Sequence, residues 1–161
     1  MLTITDALKT PITGLNVMVI GLPASGKTYF AGRLALNNQA HKLYRTDDYL
    51  QWPMDGQTAM YAAMGEVIET IEGGQNTIVE GVAGYRMLRK GVQLETYYPD
   101  IVFEIVAPQE QRERVYQQER KDKSFPNVER FDKALATVLN EYKKIVGDFD
   151  FPTWIQVSNT F

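Results

Sequence analysis

The feature that most constrains the fold of this 161-residue chain is the stretch GLPASGKT at residues 21–28. The apolar run NVMVI at 16–20 precedes it, and Phe30 and Leu34 follow it at helical spacing. A glycine-rich turn between a strand and a helix lets the backbone curl, so that successive N–H groups point at one spot. The start of the helix adds positive potential at the same spot. We therefore expect a phosphate-binding loop here.

Every fixed position of the pattern Gly-x-x-x-x-Gly-Lys-Thr is filled, which predicts that the chain binds a nucleoside triphosphate. The Lys27 ammonium should reach the β and γ phosphates, and the Thr28 hydroxyl is the expected magnesium ligand. ATP and Mg²⁺ are thus the expected cofactors. ATP is named instead of GTP only as the default purine triphosphate, because no residue indicates the preference. The predicted cofactor contacts come from Gly21, Leu22, Pro23, Ala24, Ser25, Gly26, Lys27 and Thr28.

The composition excludes several other classes of protein. Apolar residues make up 44% of the chain and charged residues 23%, as in an average globular protein. The absence of cysteine excludes disulfides, thiolate metal sites and cysteine nucleophiles. A net charge of −3 argues against a broad electrostatic surface for duplex DNA. No apolar run is long enough to span a bilayer, and no secretory signal is recognised, so we expect no membrane contact and a cytoplasmic location.

Strand-like and helical patterns alternate along the chain, which predicts an α/β fold: a parallel sheet with helices on both faces. No linker divides the chain, so we expect a single domain over 1–161. Helical spacing joins Met60, Met64, Val67, Ile68 and Ile71. The five predicted strands are NVMVI at 16–20, HKLYRT at 41–46, NTIVE at 76–80, DIVFEIVA at 100–107 and TWIQV at 153–157.

Acidic residues follow two of these strands and should lie beside the phosphates, because ligands bind at the carboxyl ends of parallel strands. The second strand ends in Thr46-Asp47-Asp48-Tyr49, and the third ends in Glu80. An aspartate here can accept the proton of an attacking hydroxyl. The alternatives are that Asp47 or Asp48 caps a helix or starts a turn, and that Glu80 is a surface carboxylate.

Two helices are predicted in the second half of the chain. Residues 128–146 carry an apolar stripe and should form a long amphipathic helix. Residues 108–123 are strongly polar, so this helix should project over solvent or over a ligand. Just before the polar helix, Glu104 lies in the middle of an apolar strand, and no role for it follows from the sequence.

The acceptor pocket is expected between Tyr49 and Tyr97. The aromatic rings of Tyr49, Trp52 and Tyr85 flank the predicted strand ends and could stack on a nucleobase or simply pack. Arg86 and Arg89 are one helical turn apart and could hold an acceptor phosphate or form a solvated basic face. Together they favour a nucleotide or nucleic-acid acceptor.

The loop GLPASGKT, the sequence TDDY about twenty residues later, VEG at 79–81 and the polar helix together resemble the small P-loop kinases. This group includes phage polynucleotide 5′-kinase, zeta toxins, gluconate kinase and nucleotide kinases. The resemblance covers nearly the whole chain. It implies a three-layer P-loop NTPase fold with strand order 2-3-1-4-5 for the five predicted strands, and ATP-dependent transfer of phosphate to an alcohol.

The resemblance also implies roles for individual residues. Asp47 matches the first aspartate of the polynucleotide kinase motif Arg-Asp-Asp-Tyr-Arg, which is the general base there. Leu50 replaces the arginine that follows the tyrosine, so acceptor binding need not be the same. The polar helix matches a mobile lid, about 108–126, whose catalytic arginine would be Arg120, with Arg114 second.

The small size and lack of cysteine also look similar to phage kinases that phosphorylate 5-hydroxymethyluracil in DNA, which would place the protein in the host cytoplasm. Sugar, nucleoside or antibiotic hydroxyls are alternative acceptors. A P-loop ATPase that binds a protein partner is an alternative of another class. Oligomeric state and acceptor identity stay open.

Overall fold

The computed structural model describes residues 1–22, 24–50, 55–81, 83–119, 140 and 153–160. Strands and helices alternate along them as predicted. A short 3₁₀ turn at Thr46–Tyr49 follows the third strand. The strands are β1 Leu2–Thr3, β2 Val17–Gly21, β3 Lys42–Arg45, β4 Thr77–Glu80, β5 Ile101–Val106 and β6 Thr153–Ser158, and the helices are α1 Ile4–Ala7, α2 Lys27–Asn37, α3 Gly56–Glu72, α4 Gly84–Leu94 and α5 Gln109–Glu119.

Within the described part of the chain, six strands form one sheet in the order β1-β6-β5-β2-β4-β3, and all neighbours are parallel. The five predicted strands are present in the predicted order, with β2 at the centre between β4 and β5. The prediction of five strands is wrong in number, because β1 adds a sixth beside β6. This strand has only two residues, both exposed, so it leaves no apolar alternation in the sequence.

The sheet separates two hydrophobic cores, as expected for three layers. On one face α2 packs Phe30, Ala31 and Leu34 against β2 and β5, where Phe30 and Phe103 stack edge to face with ring centroids 5.1 Å apart. On the other face α3 and α4 cover Met18, Ile20, Val79 and Val102. Fully apolar strands such as β2, buried at every residue, are typical of parallel sheets covered on both sides.

The N-terminal half of the polar helix is less exposed than predicted. Within α5, Gln111 and Arg112 are each only 4% exposed, although the sequence predicts a helix that projects over solvent or over a ligand and is not well buried. The Nε of Arg112 donates to the Ala107 carbonyl at 3.2 Å, and such backbone hydrogen bonds make burial of polar side chains possible. The amphipathic helix predicted over 128–146 lies outside the described residues, apart from residue 140. None of the helices in the described ranges is long and apolar enough to cross a membrane.

Candidate active site

The candidate site lies at the carboxyl ends of three neighbouring strands, β2, β4 and β3, where parallel sheets bind ligands. The loop at 21–28 follows β2, the 3₁₀ turn with Asp47 follows β3, and Glu80 ends β4. The fold therefore brings together three segments that are separated in sequence. The loop at 21–28, Asp47 (the candidate general base, called the base candidate below) and Glu80 all lie at the same edge of the sheet.

The loop after β2 has the backbone of an anion-binding turn. Ala24 has φ of 61° and Gly26 has φ of 95°, both in the left-handed region. A reversal of this kind turns successive N–H groups to one side. The amide of Ser25 donates to Leu22 O at 3.2 Å, and that of Phe30 donates to Gly26 O at 3.0 Å, where α2 begins.

Two loop residues suit an anionic ligand. Ser25 Oγ is buried and has no hydrogen-bond partner among the described residues, so it is a polar atom available to a ligand. Lys27, the first residue of α2, is 4% exposed. Pro23 lies outside the described residues, while Gly21, Leu22, Ala24, Gly26 and Thr28 lie in the predicted loop and helix start.

Glu80 is the most buried carboxylate of the site, at 3% exposed. The Thr28 hydroxyl donates to Glu80 Oε1 at 3.1 Å, and Arg45 Nε lies 4.0 Å from Glu80 Oε2. Burial raises the pKa of Glu80, and the nearby Asp47 charge raises it further, while Lys27, Thr28 and Arg45 oppose the shift. The surface-carboxylate alternative is therefore wrong for Glu80.

Asp47 lies exposed in the 3₁₀ turn, close enough for its charge to act on Glu80. The same turn is tied to α3, because the Tyr49 hydroxyl donates to Glu66 Oε2. Burial and this hydrogen bond raise the pKa of Tyr49 above its ordinary value of 10.0. The position of the base candidate is thus linked to the helix beside the expected acceptor pocket.

The expected acceptor residues on α4 do not share one environment. Tyr85 is 1% exposed and belongs to the core under α3 and α4, so we correct it from a stacking candidate to a packing residue. Arg86 is exposed, and its Nη1 lies 4.0 Å from where a Cβ on Gly56 would be, at the start of α3. Arg89 is half-buried.

The predicted lid can be followed only in part. Arg114 is exposed on α5 and shares a shallow pocket with Gln109, Glu110 and Glu113. Arg120 and Trp52 lie outside the described residues, so their predicted roles stay predictions.

Asn159 is a residue that sequence reasoning missed. Its Nδ2 donates to the Ser25 carbonyl at 2.9 Å, and its backbone N–H donates to Val106 O at 2.8 Å. Its own carbonyl accepts from Gln111 Nε2 at 2.8 Å. A Cβ on Gly26 would overlap the Asn159 amide, so the glycine is required for close approach as well as for its positive φ. Asn159 therefore braces the phosphate loop against β5 and α5.

Two further contacts explain residues that the sequence left without a role. Trp154 Nε1 donates to Glu104 Oε2 at 2.6 Å, which gives the carboxylate in β5 a partner on the adjacent β6. Thr46 is 3% exposed, its Oγ1 has no hydrogen-bond partner in the described ranges, and it lies directly against Gly81. Contacts between strands so distant in sequence leave no local pattern.

The oxygen atoms at Thr28 and Glu80 fit a magnesium ion together with phosphates. Mg²⁺ prefers oxygen ligands and keeps several waters, so one hydroxyl with a nearby carboxylate is a sufficient protein contribution. Among the described residues no group of three or more acidic or histidine side chains could hold a metal. The single histidine, His41, places its Nε2 2.8 Å from Leu15 O and is structural.

A parallel sheet with this loop after its central strand defines the P-loop NTPase class. No protein-family model matches the chain. No curated protein sequence matches it either.

The fold of this chain is similar to that of several solved structures. A putative kinase from Chloroflexus aurantiacus has a TM-score of 0.60 at 17% identity, over 94% of this chain and 88% of that chain. Deoxyadenosine kinase from M. mycoides with bound dATP has a TM-score of 0.57 at 12% identity, over 89% and 91%. The Pnkp1/Rnl/Hen1 RNA repair complex has a TM-score of 0.60 at 20% identity, over 89% of this chain and 49% of that chain. The fold is that of the P-loop kinases.

Proposed function

We propose that this chain is an ATP-dependent phosphotransferase that moves the γ-phosphate to a hydroxyl of a nucleotide or nucleic acid. The observation that carries the proposal is the meeting of Lys27, Thr28 and Glu80 at one edge of the sheet, with Asp47 near enough to act on Glu80. Lys27 and Thr28 come from the phosphate loop, and the two carboxylates come from neighbouring strands. An ATP-binding loop beside an exposed carboxylate suits transfer to an alcohol.

Each residue has a distinct part in the proposed reaction. Loop N–H groups and the Lys27 ammonium hold the β and γ phosphates and offset their charge. Asp47 accepts the proton of the acceptor hydroxyl as that oxygen forms a bond to the γ phosphorus. The bond from this phosphorus to the bridging oxygen breaks, and ADP leaves with the electron pair. Arg120, with Arg114 second, is proposed to close over the transferring group.

Thr28 and Glu80 would hold Mg²⁺, directly or through its water. Bound there, the ion would offset charge on the phosphates. Within the chain, the hydrogen bond from Thr28 to Glu80 fixes the orientation of both side chains before ligand arrives. Buried Glu80 and Lys27 also exclude water from the base of the site.

A nucleotide or nucleic-acid acceptor is supported by exposed Arg86 near the start of α3 and by Tyr49 in the turn that carries Asp47. The hydroxymethyl group of 5-hydroxymethyluracil in phage DNA and a polynucleotide 5′-hydroxyl are the two acceptors proposed for the first tests. A single domain acting in the cytoplasm, that of the host if the chain is phage-encoded, completes the proposal.

The test is transfer of labelled phosphate from ATP to a panel of 5′-hydroxyl oligonucleotides, DNA containing 5-hydroxymethyluracil, nucleosides and sugars. We expect transfer to a nucleic-acid or nucleotide acceptor and little ATP hydrolysis without one. Asp47→Asn should lower kcat about a hundredfold or more with little change in the Kd for ATP. Asp48→Asn is the matched control.

Three outcomes would contradict parts of the proposal. A silent Asp47→Asn beside a damaging Asp48→Asn would move the base by one residue. Transfer only to a sugar, a nucleoside or an antibiotic hydroxyl would make the chain a small-molecule kinase. ATP hydrolysis that no acceptor stimulates, but that a protein partner does, would make it an ATPase switch.

A further inference from the structure

A groove of about 770 Å³ lies between α2 and β3, on the face of the sheet opposite to α3 and α4. β3 is the outermost strand on this side of the described sheet, so the groove is open to solvent along its length. It begins at Thr28 and Arg45, beside the phosphate loop, and ends near Leu36 and His41 at the other end of α2. The eleven residues of α2 extend for about 16 Å.

The charge of the groove is opposite to that of the whole chain. Its charged lining residues are Arg33 and Arg45, and the described residues that line it include no Asp or Glu. The chain as a whole carries a net charge of −3. No carboxylate of the described residues forms an ion pair with Arg33, which is exposed on α2. Arg45 spans the groove, with Nε 4.0 Å from Glu80 and Nη2 3.6 Å from where a Cβ on Gly32 would be.

Apolar side chains are interleaved with these cations. Tyr29 and Leu36 are each 63% exposed and lie at positions i and i+7 of α2, with Arg33 between them at i+4. They place an aromatic ring and an aliphatic side chain on the solvent-facing side of a helix whose other side is buried. Guanidinium groups that alternate with an aromatic ring can bind phosphates and stack a base in turn.

We propose that this groove binds a single nucleic-acid strand that enters the active site from the α2 side. The proposal rests on the proposed function. Arg45 ends β3 and lies two residues before Asp47, so the groove leads to the base candidate. A strand with its reacting nucleotide at Asp47 lays its following phosphates on Arg45 and Arg33 and a base on Tyr29. An acidic peptide shares the negative charge but lacks flat bases for Tyr29.

The test is fluorescence anisotropy with a labelled twelve-nucleotide oligo-dT, without ATP, at several salt concentrations. We expect the wild type to bind the strand. Arg33→Gln should weaken binding about tenfold and reduce the slope of log K against log salt by about 0.7, because one phosphate contact is lost. Arg33→Glu should weaken it further. Tyr29→Ala should weaken binding about fivefold to a hundredfold if one base stacks on the ring.

Lys9→Gln is the charge-matched control, because Lys9 is exposed and does not line the groove. It should leave strand affinity unchanged, and the Kd for ATP of each variant reports the state of the phosphate loop. Unchanged strand affinity in Arg33→Glu and Tyr29→Ala overturns the groove. Transfer to free nucleotides by a wild type that binds no strand overturns the groove and leaves the proposed function standing. Tighter binding of a poly-Glu peptide than of oligo-dT also overturns it.

Discussion

Gly81 and Thr46 touch where β4 ends and the turn that carries Asp47 begins. Gly81 has φ of 149°, and a Cβ there would overlap Oγ1 of the buried Thr46. Gly81→Ala should therefore lower the free energy of unfolding by about 2–4 kcal/mol, through backbone strain and overpacking. It should also slow phosphate transfer, because Thr46 precedes Asp47. Urea unfolding and the transfer assay measure the two effects.

The double variant Gly81→Ala/Thr46→Ala separates the two causes. Removing the threonine hydroxyl and methyl should recover the overpacking part, about 1–3 kcal/mol, and leave the backbone part. If Gly81→Ala costs the same free energy in both backgrounds, the contact with Thr46 is not the cause.

Glu80 makes stability depend on pH. Its folded-state pKa is raised above the ordinary 4.5, mainly by burial, so the folded chain binds this proton more tightly than the unfolded chain does. Stability should then fall as pH rises from 4.5 to the raised value. Glu80→Gln has no carboxyl group to titrate at this position. The free energy of unfolding of the variant, minus that of the wild type, should therefore increase as pH rises through this interval.

Glu80→Gln should nevertheless lower transfer activity by about tenfold to a hundredfold, because Thr28 and the proposed metal site lose a carboxylate. Chemical denaturation across pH 4–8 measures the stability difference. Glu72→Gln, at the exposed end of α3, is the matched control for the loss of one carboxylate. A stability difference that shrinks as pH rises would contradict the argument.

At the scale of elements, the structure contains all five strands predicted from β-favouring apolar runs. The sequence did not predict β1 or the burial of α5. Periodicity reports whether a segment has an apolar face. β1 is two residues long, and the buried side of α5 is polar, satisfied by Ala107 O and Asn159 O. Partners of this kind come from distant segments, so no window of sequence contains them. The loop at 21–28 could be predicted because all its fixed residues lie within eight consecutive positions.

The brace between β6 and the phosphate loop gives a prediction at this scale. Asn159→Ala removes the donor to Ser25 O, so the loop should lose preorganisation and the Kd for ATP should rise about fivefold to tenfold. Asn159→Asp keeps the shape but replaces the donor by an acceptor facing a carbonyl, and should be at least as damaging. Calorimetry gives the Kd values, and thermal unfolding reports the fold.

If Asn159→Ala raises the Kd for ATP and Asn159→Asp leaves it at the wild-type value, the proposed role of the Asn159 hydrogen bond is wrong. The shape of the side chain alone would then be enough to support the loop. Gln111→Ala offers a second measurement. It breaks the bond from α5 to Asn159 O and leaves the one to Ser25. We expect it to change the Kd for ATP less than Asn159→Ala does.

For the whole molecule, binding and stability are linked. ATP at a hundred times its Kd should stabilise the folded state by about 2.7 kcal/mol, which for a chain of this size raises Tm by about 5–11 °C. Lys27→Ala should fold and lose most of this shift, because the ammonium acts on phosphates. Differential scanning calorimetry with Mg²⁺ and ATP measures it, with Lys9→Ala as control. A full shift in Lys27→Ala would contradict the assignment of the loop.

Ser25 and Asn159, joined by one hydrogen bond, are 134 residues apart along the chain. A ribosome adds about 5–20 residues per second, so the loop emerges about 7 to 27 s before its brace is made. Throughout that time the nascent chain already carries the whole nucleotide motif without its support. The cell's ATP would meet an immature loop first, and tight capture would begin only with the arrival of β6. If the loop binds ATP as proposed, its tightest binding would therefore begin late in biosynthesis, after Asn159 has been added to the chain.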